Sequence, residues 1–159
     1  MKRLTALLLL FALFLSGCGN ELKEPVTFYY LSSNYEEDMS SAIDSERREA
    51  AGHRDDLMYL MALYLMGPAD EDLHAPLPGD TTVQAAEMHG TNVTITLSDV
   101  SDSMTDFQFT VACSCLTLTC LDITEATNVT IISGDRSITL DANDLLLSDL
   151  VTANMEEPQ

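Results

Sequence analysis

FQFTVACSCLTLTCL, Phe107 to Leu121, carries two periods in the same run of residues. Phe107, Phe109, Val111, Cys113 and Cys115 alternate with polar or small residues, the period of a half-buried strand. Phe107, Val111, Cys115 and Leu118 also fall on one helical stripe, and the length of the run suits a helix. Pattern alone leaves helix and strand both open for 107–121.

The choice governs three cysteines, Cys113, Cys115 and Cys120. On a helix, Cys113 and Cys115 point to nearly opposite sides. Cys113 and Cys120 share a face but sit about 10 Å apart at a rise of about 1.5 Å per residue. A disulfide needs Cα atoms within roughly 7 Å, so no pair among them closes within a regular helix. On a strand, Cys113 and Cys115 would face the same side. An odd count leaves at least one thiol free unless chains cross-link. Zinc wants four ligands at ordered spacing. His53, His74 and His89 lie in other segments and form no pattern with Cys113. The expectation is buried, unpaired thiols, with no metal and no cofactor. A metal or redox site and an intermolecular disulfide are the alternatives.

The chain opens MKRLTALLLLFALFLSGCGN. Lys2 and Arg3 make a basic start, Leu4 to Leu15 is almost wholly apolar, and Ser16-Gly17 supplies small residues. This is the anatomy of a secretory leader, and the run is too short for a transmembrane helix. Leu15-Ser16-Gly17-Cys18 resembles the bacterial lipobox, whose cysteine thiol receives diacylglycerol before cleavage. The reading divides the chain into a leader over 1–17, a lipid-anchored tether over 18–25, one domain over 26–150 and a tail over 151–159. Cys18 is the expected lipidation site. One acyl chain anchors only marginally, whereas diacylglycerol brings two, so attachment to the membrane's extracytoplasmic face should be stable.

The formal charge of -19 grows more negative once Lys2 and Arg3 are removed. Such a field repels phosphate backbones and anionic headgroups, which argues against a nucleic-acid partner. The acids are spread along the chain, so a solvated surface explains them. There is no tryptophan, no internal repeat and no long low-complexity tract.

Val26 to Leu31 (VTFYYL) reads as a strand. Ser32 to Gly52 is polar and reads as a loop, with room for a short edge strand around Ser41 to Glu46. His53 to Met66 is the clearest helix, with Leu57, Leu60, Met61, Tyr64 and Leu65 at helical spacing, Asp55 and Asp56 in its first turn, and Gly67-Pro68 as its stop. Met58, Met61 and Met66 read as adaptable core filler rather than a soft-metal site. Ala69 to Asp80 is a loop. Thr81 to Glu87 and Thr91 to Leu97 predict a hairpin around His89-Gly90. Val129 to Ile132 and Ser137 to Leu140 are further strands, and Asp141 with Asp144 predicts the cap of a terminal helix through Leu150.

These fragments occur in a definite order. A helix closing Tyr64-Leu65-Met66-Gly67-Pro68 is followed by Leu77-Pro78-Gly79-Asp80-Thr81, then by Val93-Thr94-Ile95-Thr96-Leu97-Ser98, Thr117-Leu118-Thr119 and Asn128-Val129-Thr130-Ile131. Together they resemble the GerMN domain, the sporulation and spore germination domain of bacterial lipoproteins. Thr124-Glu125-Ala126-Thr127 stands where the family has a Pro-Gly turn. The resemblance implies that 107–121 is a helix. It also implies an α+β domain, a small mixed β-sheet with two main helices packed on one face, similar to ring-building-motif domains. It further implies a non-catalytic envelope protein that takes part in an assembly by surface recognition, with a protein partner.

Catalytic alternatives rest on less. Cys113 with His89 or His74 would supply a nucleophile and a base, but no motif links them. Asp99, Asp102 and Asp106 lack the glycine and closing glutamate of an EF-hand loop. The alternative reading is an envelope lipoprotein that acts as an enzyme or binds a small ligand or cation. It predicts a concave pocket with convergent polar groups.

Overall fold

The computed structural model describes residues 23–34 and 42–145. The leader over 1–17, Cys18 with most of the tether, the last turns expected up to Leu150 and the tail over 151–159 lie outside the described residues. The elements run β1 (Pro25–Ser32), β2 (Ile43–Glu49), α1 (Leu57–Leu65), β3 (Leu73–His74), β4 (Val83–His89), β5 (Asn92–Leu97), α2 (Asp106–Ile123), β6 (Asn128–Ser133) and β7 (Arg136–Asp141).

The run from Phe107 to Leu121 is helical. Its start is fixed by a reciprocal cap: the Gln108 N–H donates to Thr105 Oγ1 at 3.2 Å, and the Thr105 N–H donates to Gln108 Oε1 at 2.9 Å. The alternation that imitates a strand has a physical origin. No residue from Ala112 to Leu121 is exposed, because α2 packs against β1 and also against β6 and β7. A helix enclosed on more than one side shows no single apolar stripe. Small side chains, Ala112, Cys113, Cys115 and Cys120, let the neighbouring elements approach.

The α+β class holds, with both helices against one face of the four-stranded sheet β4-β5-β6-β7. That face presents Val93, Ile95, Leu97, Val129 and Ile131, all buried in one cluster with Leu60, Met61 and Tyr64 of α1. β5 and β6 are parallel, so the chain must cross over between them, and α2 is that crossover. The strands do not form a single sheet. β1 pairs with β2 and β3 in a separate three-stranded antiparallel sheet. β3 covers the second edge of β1 only at Leu31 and Ser32. Further back, the Tyr29 N–H donates to Thr119 Oγ1 of α2 at 3.0 Å, so a helix stands where another strand would pair.

Two element boundaries differ from expectation. β2 spans Ile43–Glu49, longer than the edge strand expected around Ser41 to Glu46. α1 begins at Leu57, a turn later than expected. Asp56 is its N-cap, accepting from the Tyr59 N–H at 3.0 Å, rather than a first-turn acid. At its far end Gly67 takes a φ of +83°, the left-handed stop that glycine permits. Asp141 and Asp144 cap one another's amides at 2.9 and 3.0 Å across a turn that follows β7, and the helix expected beyond them lies outside the described residues.

Candidate functional site

The cysteines build no site. Cys113, Cys115 and Cys120 are free and fully buried, and burial pushes each thiol up to about 12. Cys120 Sγ lies 4.0 Å from Met61 Sδ, a sulfur contact inside the core. The histidines are at three separate exposed places. His53 stacks on Tyr59 with ring centroids 4.2 Å apart, His74 ends β3, and His89 sits 3.3 Å from Glu87. None reaches a thiol. Asp99 accepts from the Ser101 N–H at 2.9 Å, which holds its carboxyl below the ordinary carboxylate range, while Asp106 lies 3.5 Å from Arg136. Among the described residues no group of His, Cys, Asp and Glu is arranged to hold a metal ion.

Two of the three methionines expected as core filler, and one aromatic, lie at the surface. Met58 and Met66 are 41% and 78% exposed, so only Met61 fills the core. Met66 is the C-cap residue that follows the last turn of α1, and its side chain stands clear of the described core. Phe107 is 65% exposed and does not belong to the buried stripe assigned to it. The cap at Thr105 places Phe107 in the first turn of α2, beyond the sheets, and Phe109 is the aromatic that turns inward.

Beside Phe107 a groove of about 630 Å³ opens at the Leu31 end of β1. Leu31, Leu77, Pro78, Met104, Phe107 and Val111 give it an apolar lining. Its polar lining among the described residues is Ser103, Thr105 and Gln108, and the last two are engaged in the α2 cap. Apolar side chains predominate among those lining residues, which suits the groove to apolar contact.

The loop beneath the groove is tightly held. The Thr81 N–H donates to the Pro78 carbonyl at 3.0 Å, and the Thr82 N–H donates to Ser98 Oγ at 3.0 Å. Ser133 Oγ donates to the Ser98 carbonyl at 2.7 Å and accepts from the Val100 N–H at 3.0 Å, stitching the segment before α2 to β6. The Arg136 guanidinium donates to the carbonyls of Met104 and Ser101 at 3.0 and 3.3 Å. The wall that carries Met104 and Phe107 is therefore pinned from β6 and β7.

The opposite pole has different chemistry. A second concavity there is lined by Arg54, Asp55, Asp122 and Glu125 with Leu57, Leu60 and Met88. Arg54 donates to the Pro25 carbonyl at 2.7 Å, fixing the point where the chain enters β1.

No family model matches the sequence, and no curated protein does. Among solved structures the chain is similar to the first GerMN domain of the sporulation protein GerM from Bacillus subtilis. The two are 14% identical with a TM-score of 0.57, over 73% of this chain and 86% of that one. It is also similar to the tandem GerMN domains of GerM from Bacillus subtilis, at 16% identity and a TM-score of 0.53, over 76% of this chain and 43% of that one. The chain thus spans less than half of the tandem structure. At such identities the likeness speaks for the fold, and the fold of this chain is GerMN-like.

Proposed function

We propose that this chain is a lipid-anchored, extracytoplasmic interaction module of a bacterial envelope assembly, non-catalytic and held to the membrane through diacylglycerol on Cys18. The GerMN-like fold carries the proposal, at a TM-score of 0.57 to a domain of a sporulation protein. Sporulation or germination is the setting that this likeness suggests. The lipobox at Leu15 to Cys18 supports the anchor, and the acidic body, at a formal charge of -19, is kept off anionic headgroups by its own field. The surface at the Leu31 end of β1 supports recognition, since its described lining is mostly apolar and carries the exposed Phe107.

The anchor is tested by expressing the full chain in a Gram-positive host and weighing its mature N-terminal peptide. The expected result is diacylglycerol on Cys18 and recovery in the membrane fraction. Cys18→Ser should leave the chain unlipidated and release it from that fraction. An unmodified N-terminus on a freely soluble wild-type chain would refute the anchor. Turnover of a substrate by the purified chain would refute the non-catalytic reading.

A further inference from the structure

We infer that the groove at the Leu31 end of β1 is a docking site for a cationic segment of a second protein, inserted by an apolar anchor residue. The inference rests on the proposed anchor for its orientation only.

The first ground is the exposed aromatic. Phe107 is 65% exposed on the wall of an apolar groove. Aromatic side chains in such positions are the groups on which interface energies concentrate. The site is also pre-organised, which lowers the ordering cost of binding. The Thr105–Gln108 cap fixes the turn that carries Phe107, Pro76 and Pro78 stiffen the facing wall, and Arg136 holds the Met104 carbonyl at 3.0 Å.

The second ground is charge. Asp80, Asp102 and Asp106 flank the lining residues Pro78, Ser103 and Phe107 in sequence, and the Asp106 side chain is 94% exposed. Arg136 lies 3.5 Å from Asp106 and also donates to two backbone carbonyls and sits over the Phe109 ring, its guanidinium carbon 5.6 Å from the ring centroid, whereas Asp80 and Asp102 have no ion-pair partner among the described residues. Acids next in sequence to the lining of an apolar groove favour a segment whose anchor is flanked by lysine or arginine. A second copy of this chain is disfavoured, because a self-complementary contact would set the same acids against each other.

The third ground is position. β1 carries Pro25 at one end, where Arg54 fixes the incoming chain, and Leu31 at the other, where the groove opens. At a rise of about 3.3 Å per residue these ends are roughly 20 Å apart. With the lipid on Cys18, the groove lies at the pole away from the anchored end, which presents it to a protein rather than to the chain's own bilayer.

The test uses the lipidated mature chain in phosphatidylcholine nanodiscs, with a random peptide library displayed on phage as the probe. The expected selection is for peptides with a leucine or aromatic anchor flanked by lysine or arginine. Their affinity should fall about tenfold in Phe107→Ser, a loss of about 1.4 kcal/mol. It should also weaken as salt rises past about 0.15 M, where the Debye length is near 8 Å. Met66→Ser, at another exposed apolar residue, should leave binding unchanged, and thermal melting checks that Phe107→Ser is folded. No enrichment, cation-free peptides, salt-independent binding or full affinity in Phe107→Ser would overturn the inference. A dimer that Phe107→Ser dissolves would make a second copy the occupant, and Phe107-dependent binding to phosphatidylglycerol vesicles would make it a lipid surface; either result overturns it too. The selection repeated on unlipidated Cys18→Ser protein should give the same peptides, which separates failure of the groove from failure of the anchor.

Discussion

Thr117 and Thr119 are two residues apart on α2 and both are wholly buried, yet their hydroxyls are in opposite situations. Thr119 Oγ1 accepts the Tyr29 N–H at 3.0 Å, closing the edge of β1 where β3 no longer pairs. Thr117 Oγ1 has no partner among the described residues. A buried polar atom without a partner costs about 1–3 kcal/mol, and removing a partner from a buried donor costs a similar amount. Valine has nearly the same shape as threonine, so the two replacements should differ in sign. Thr117→Val is expected to stabilise the fold by about 1 kcal/mol, and Thr119→Val to destabilise it by about 2 kcal/mol. Urea unfolding midpoints of both variants against the parent check this. Equal shifts in the same direction would mean that the hydroxyls do not have the partners described. The buried tyrosines follow the same rule. Tyr30 donates to the Tyr64 carbonyl and Tyr64 to the Tyr29 carbonyl, each at 3.0 Å, while their rings stack with centroids 4.7 Å apart.

At the scale of elements, β2 shows what a charged edge strand does. Its inward positions, opposite Phe28 and Val26, are Glu46 and Arg48 rather than apolar residues. Arg48 donates to the carbonyls of Leu63 and Gly67 at 3.4 and 2.9 Å, satisfying the C-terminal end of α1. Glu46 accepts from the Ala69 and Asp70 amides at 2.9 and 3.0 Å. Hydrogen bonds to charged groups contribute about 1.5–3 kcal/mol, so Arg48→Ala should lose about 2 kcal/mol and Arg48→Lys should recover only part of it, because its ammonium lacks the planar, pre-oriented Nη1 that reaches both carbonyls. Hydrogen exchange of the last turn of α1 reads the effect locally; unchanged protection there would contradict it. This arrangement also explains why β2 was legible only as a possible short edge: a strand whose inward residues bond to a helix end carries no apolar alternation. The hairpin of β4 and β5, β6, and the stop at Gly67 were legible because each is written in one local signal. For α2, Thr105-Asp106-Phe107-Gln108 contains the spacing of a capping box, a local sign of helix that also puts Phe107 outside the core. The groove was not legible, because Leu31, Leu77 and Met104 meet only through the topology. Cys18, the proposed lipidation site, rests on its flanking residues alone and lies outside the described residues.

Among the described residues no ionisable acid or base is wholly buried, while thiols and phenols are, and this sets the response of the molecule to alkali. Burial raises Cys113, Cys115 and Cys120 from an ordinary 9.0 to about 12, and raises the phenols of Tyr30 and Tyr64 further from their ordinary 10.0. In each case the protonated form belongs to the folded state. Below the unfolded value both states hold the proton and the full stability is present. Above it the unfolded chain releases the proton while the folded chain retains it, so stability falls as pH rises from about 9 through about 12. The slope is about 1.4 kcal/mol per pH unit for each thiol. The expected profile, measured by urea unfolding in reducing buffer, is flat below pH 9 as far as the thiols contribute and then declines steeply. Cys115→Ala should lower the starting stability slightly, since it removes a buried sulfur, yet make the decline shallower by about one thiol's share. A wild-type profile that stayed level to pH 11, or a Cys115→Ala profile with an unchanged slope, would show that the thiols are not held neutral by the fold. The same experiment measures reactivity: an aromatic disulfide reagent at neutral pH should leave all three thiols untouched until the protein unfolds, because the nucleophile is the thiolate and the fold suppresses it.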